Sequence, residues 1–142
     1  MIIMSLSLQA FSQDSMEKVM EKRAREMHRV LGLSDRGQWK TFIQENYTQA
    51  LINKPMRAAV KESTGATTSS ESQSADNLEA KVNMFNRLHD DFGGSKITSI
   101  KSSDGILKMT LDNGSGLIGV FQLKFVPTKP YLIDGLGIQA EN

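Results

Sequence analysis

A chain of 142 residues with 39% hydrophobic content has the length for one domain built on one modest core, and two full domains would be cramped. Seventeen basic against sixteen acidic side chains leave a formal charge of +1, so no net field gathers nucleic acid or an anionic membrane. Cysteine is absent, which removes disulfides, thiolate metal sites and cysteine nucleophiles.

The chain opens on Met1-Ile2-Ile3-Met4, runs through Leu6 and Leu8, and reaches Ala10-Phe11-Ser12, a small-x-small pattern that suits a signal peptidase. No Lys or Arg precedes the apolar stretch. Residues 1–13 therefore read as a signal-peptide remnant, against the alternative of an apolar arm packed on the domain. The first reading makes the protein secreted or periplasmic, and the second leaves it cytoplasmic. No run reaches the roughly 18 apolar residues of a membrane span.

Residues 14–31 read as the first helix: Asp14 and Glu17 have capping-box spacing, Met16, Met20, Ala24, Met27 and Leu31 recur at helical intervals, and Gly32 stops it. Lys18, Glu21, Lys22, Arg25 and Glu26 form its solvated face. A second helix starts near Asp35 and sets Trp39, Phe42, Ile43 and Tyr47 on one side. Residues 63–76 have almost nothing to bury and read as a flexible Ser/Thr-rich surface loop. A third helix begins at Asp76, boxed with Glu79, and ends at Gly93-Gly94, with Leu78, Val82, Phe85, Leu88 and Phe92 as its apolar stripe.

The period then changes. Residues 97–101, 107–111, 117–126 and 131–138 read as four strands, joined by Asp104-Gly105, Asp112-Asn113-Gly114 and Pro127-Thr128-Lys129-Pro130, connections short enough to make neighbours antiparallel. Gly119, Gly135 and Gly137 lie inside strands, where glycine marks bulges and bends. The expected fold is α+β, with N-terminal helices packed on a curved four-stranded antiparallel sheet.

This order resembles the cystatin-like, nuclear transport factor 2-like group, in which helices and sheet form a cone that often holds a pocket. A closer similarity is to small domains attached to bacterial serine hydrolases of the β-lactamase and penicillin-binding type. It is carried by Asp35 through Phe42-Ile43-Gln44-Glu45-Asn46-Tyr47, by Leu88-His89-Asp90-Asp91-Phe92-Gly93-Gly94, by Phe121 through Phe125, and by Pro130 to Leu136-Gly137-Ile138. The chain departs from those domains in its Ser/Thr-rich insertion and in having no hydrolase domain.

Ser15-Met16-Glu17-Lys18 matches S-x-x-K, but no S-D-N or K-T-G element accompanies it, so no catalytic residue is assigned. His28 and His89 do not have metal-ligand spacing, and no cofactor loop occurs. The expected ligand site is an apolar pocket between the concave sheet face and the helices, bordered by Trp39, Phe42, Phe85 and Phe121, with Tyr47 and His89 as its polar groups. The alternative is that the same aromatics fill the core and that His89 bonds a last-turn carbonyl.

The leading functional expectation is a non-catalytic binding or accessory module of the bacterial cell envelope, with a small apolar ligand or an envelope protein as partner. A small isomerase or dehydratase of the ketosteroid-isomerase type is the enzyme alternative, with Asp134 as base and Tyr47 as donor. A structural partner that pairs through its sheet, as a homodimer, is the third, and it requires an apolar exposed sheet face. The export reading is checked by N-terminal sequencing of envelope material: the expected start is near Gln13 or Asp14, and an intact Met1 recovered from the cytoplasm refutes it.

Overall fold

The computed structural model describes residues 2–54 and 70–141. Helix α1 spans Ile2–Leu31, beginning well before the expected Asp14. The segment contains neither Gly nor Pro, and a nucleated helix extends readily through residues that do not oppose it. Helix α2 spans Arg36–Asn46 and is capped as expected: the Asp35 carboxylate accepts from the backbone N–H of Gly37 and Gln38. A short helix, α3 (Gln49–Asn53), follows, with Thr48 Oγ1 accepting from Leu51 N–H at 3.1 Å.

Helix α4 spans Ser70–Phe92. Residues 70–76, expected in a loop, are thus helical, and Asp76 stands inside the helix instead of capping it. Without Gly or Pro in this stretch, extension of the long helix prevails over weak local propensity. Residues 63–69 of the expected loop lie outside the described residues.

Strands β1 (Lys96–Ser103), β2 (Ile106–Asp112), β3 (Ile118–Phe125) and β4 (Ile133–Glu141) form one antiparallel sheet in chain order. Asp104 and Gly105 both have positive φ, which fits the two-residue β1–β2 hairpin they close. Asn113 organises the β2–β3 turn: its Oδ1 accepts from Ser115 N–H and Leu117 N–H, and its Nδ2 donates to Asp91 O near the end of α4. Register shifts interrupt β1 between Ile97 and Ser99 and the β3–β4 pair at Lys124 and Phe125, bending the strands locally.

Period-two alternation decides the two sheet faces. Leu107, Met109 and Leu111 lie opposite Leu123, Phe121 and Gly119, and all point to the helices. Met20, Ala24, Met27 and Leu31 of α1 and Val82, Phe85, Leu88 and Phe92 of α4 complete the core, as the helical stripes predicted. On the outer face Lys101 stands opposite Lys108, with Gln122 and Lys124 beside them, all exposed. Ile118 is the large hydrophobic residue exposed there, at 37%. The outer face is therefore mixed, with lysines and Gln122 beside the half-buried Ile106 and Val120 and the exposed Ile118. No helix among the described residues is long and apolar enough to cross a membrane.

Helix α4 meets the sheet closely at Gly119. A Cβ there would lie 2.8 Å from Phe92 Cε1 and closer still to Cζ, so the ring rests against bare backbone while meeting Phe121 edge-on at a centroid distance of 5.4 Å. Gly119→Ala should lower the unfolding free energy by about 1–3 kcal/mol through overpacking, measured by urea denaturation. Adding Phe92→Leu should give a double mutant less damaged than the sum of the single losses.

Candidate functional site

Five of the six residues expected around a pocket belong to the buried core, and the sixth, His89, is half-buried against Trp39. Trp39, Phe42, Tyr47, Phe85 and Phe121 are each 3% exposed or less. Phe42 lies 5.8 Å from Phe85 and 6.3 Å from Tyr47, ring centre to ring centre. Their burial is what the filled-core alternative expects of them, while Phe42 also borders a cleft on the α2 side. Burial pushes the Tyr47 phenol above its ordinary ionisation range. Asp134 is exposed and accepts from Thr48 Oγ1 at 2.7 Å, so the base and donor of the isomerase alternative occupy different environments.

His89 bonds a last-turn carbonyl, but that of another helix. Its Nδ1 lies 2.5 Å from Leu31 O, and Nε2 lies 3.1 Å from Ser34 Oγ. A carbonyl only accepts, so Nδ1 carries the hydrogen. The indole of Trp39, at 5.5 Å from the imidazole, donates to Val30 O at 2.7 Å. Both side chains serve the C-terminus of α1. His28 Nε2 donates to Ser95 O at 2.9 Å, tying the same turn to the start of the sheet.

A cleft opens elsewhere, between α1 and the β3–β4 connection. It encloses about 410 Å³ and is lined by Ser15, Val19, Lys22, Arg23, Glu26, Asn46, Lys129, Pro130 and Tyr131. Arg23 is its organising group. Nη1 donates to Asn46 Oδ1 at 2.6 Å and Nη2 to Pro130 O at 2.8 Å, while Nε is buried with no partner among the described residues. Partial burial pulls the guanidinium below its usual ionisation range. Asn46 is itself buried and fixed by donating to Phe42 O at 2.9 Å. Glu26 is engaged by Arg29, which holds its carboxyl below the usual range. Tyr131 adopts a φ of 58°, a left-handed backbone rare for an aromatic residue. A smaller cleft on the α2 side of Arg23 is lined in part by Phe42, Gln38 and Glu45.

Sequence reasoning missed Arg23 and Asn46. A signal was present: Arg23 stands three residues after Met20 and four before Met27, a stripe position at which a charged residue must be partly buried. Lys81 gave the same signal. It is 6% exposed, donates to Lys54 O at 2.6 Å, and is made harder to protonate by burial. Of the S-x-x-K pair, Ser15 lines the Arg23 cleft whereas Lys18 is exposed. Among the described residues no group of three or more His, Asp or Glu side chains is placed to hold a metal ion.

Comparison with models of protein families, with curated proteins and with solved structures yields no match.

Because Leu31 is fully buried, His89→Ala should strand its carbonyl and destabilise the fold by about 1–3 kcal/mol in urea melts. His89→Asn, which restores an N–H donor at a similar reach, should recover part of the loss. Equal losses in both variants would assign the effect to ring packing on Trp39.

Proposed function

We propose that the chain is a non-catalytic binding module of the bacterial cell envelope, with its ligand seated in the cleft between α1 and the β3–β4 connection. The observation that carries this reading is Arg23, a half-buried guanidinium held by two neutral acceptors on the cleft wall. Charged groups taken from water without a counter-charge are costly, and a ligand that supplies the missing partner recovers that cost. The volume of the cleft suits a small molecule. Tyr131 adds a second support: a left-handed non-glycine residue costs about 1–3 kcal/mol, and such strain concentrates at ligand clamps.

The envelope setting rests on the small-x-small pattern at Ala10 and Ser12 and on the resemblance to domains attached to serine hydrolases. An accessory role beside a hydrolase on a separate chain belongs to the same reading. Screening small amphiphilic fragments against the isotopically labelled protein tests the site. Binding should shift the amide resonances of Val19, Asn46 and Tyr131 together while those of β1 stay in place. Shifts confined to the outer sheet face, or none from any fragment, would overturn the assignment.

A further inference from the structure

We infer that the cleft recognises a monocarboxylate carrying an apolar tail, with the carboxylate on Arg23 and the tail against Val19, Pro130 and Tyr131. The inference rests on the binding-module reading and adds the chemical class of the ligand.

Charge is the first ground. Among the described residues Lys22, Arg23 and Lys129 line the cleft with one acid, Glu26, which already has Arg29 as its partner. Among residues 15–54 and 77–141, whose side chains the structure describes, no carboxylate pairs with Arg23 or with the two lysines. The local excess of positive charge exists although the chain as a whole is near neutral, so it is a property of where these side chains meet.

Geometry is the second. A guanidinium has five N–H donors in a planar fork; Asn46 and Pro130 O each take one. These two contacts fix the plane of the group without neutralising it. A fixed, incompletely satisfied fork favours a planar two-oxygen acceptor, since the orienting entropy is already lost before the ligand arrives. The remaining wall is apolar, with Val19 half-buried and Tyr131 buried, so it receives a hydrocarbon better than a polar extension. Glu26 on the same wall stays ionised and opposes a dianion, which argues for a carboxylate over a phosphate monoester.

Isothermal titration with decanoate, 1-decanol and decyl phosphate, all below their aggregation thresholds, tests this. Decanoate should bind about tenfold or more tightly than decanol, as expected for a charge-assisted pair, and decyl phosphate should bind no better than decanoate. Arg23→Met keeps the apolar stem and should abolish the preference for decanoate over decanol, with its fold checked by circular dichroism. Lys129→Gln, at an exposed position that leaves the Arg23 contacts intact, guards against a folding defect and should weaken decanoate about two- to fivefold. Equal affinity for decanoate and decanol at the cleft would overturn the carboxylate assignment while leaving the binding-module reading standing. Tighter binding of decyl phosphate would overturn the choice of anion. No binding by any of the three probes would overturn the site and the inference together.

Discussion

The buried C-terminus of α1 is the constraint on which the other elements depend. A helix leaves its last four carbonyls without intrahelical donors, and here Val30 and Leu31 are almost wholly removed from water. Each carbonyl of that turn finds a donor. Gly32 N–H serves His28 O and Arg29 O, Leu33 N–H and the Trp39 indole serve Val30 O, and His89 serves Leu31 O. One donor therefore comes from α2 and another from α4, so satisfying one helix end fixes the placement of two more helices. Gly32 permits the approach of the end of α1 to the end of α4, since a Cβ there would lie 3.1 Å from Gly93 O, and the bare Gly93 leaves room for the His89 ring, whose Nδ1 would lie 2.8 Å from an added Cβ.

A second set of contacts joins this helical layer to the far edge of the sheet. Tyr47 forms a parallel bridge with Ile133, and Thr48 N–H donates to Ile133 O at 2.9 Å. Thr48 simultaneously caps α3 and donates to Asp134, so one residue terminates a bridge, starts a helix and holds the β4 edge. Arg36 and Glu79 pair across α2 and α4, and Lys81 and Asn77 of α4 donate to the carbonyls of Lys54 and Asn53 at the C-terminal end of α3. Side chains reaching backbone carbonyls thus add directional contacts to the apolar core that the helices share. Exposed ion pairs such as Arg36 with Glu79 add little stability.

The Arg23 cleft follows from the same arrangement. Arg23 rises from α1 between Met20 and Met27, both buried, and Asn46 at the end of α2 and Pro130 in the β3–β4 connection take its hydrogen bonds. Three separate parts of the chain meet at one guanidinium, and each contributes a neutral oxygen or apolar surface. Among the described lining side chains Lys22, Arg23 and Lys129 outnumber Glu26, which Arg29 engages, so the site carries a positive excess. In this protein the apolar residues that looked like a pocket are the core, and the cavity lies where that core meets a partly buried charge.

What the sequence by itself determined is the local layer of the structure. The stripes of α1 and α4, the Asp35 cap, the glycine-closed hairpin at Asp104-Gly105 and the alternation in β2 and β3 depend on neighbours within a few residues, and their periods announced both the elements and the buried faces. The limits of the long helices were less legible, because propagation through residues 2–13 and 70–76 depends on an already formed helix and not on a start signal. Whether Trp39, Phe42, Tyr47 and Phe85 surround a space or fill it depends on tertiary packing, on how closely the layers approach, and Gly119 lets the ring of Phe92 rest directly on the sheet. The partners of His89 and Arg23 were likewise tertiary decisions: 58 residues separate His89 from Leu31, and 107 separate Arg23 from Pro130. No local pattern records which carbonyl a side chain meets after the chain has turned back on itself.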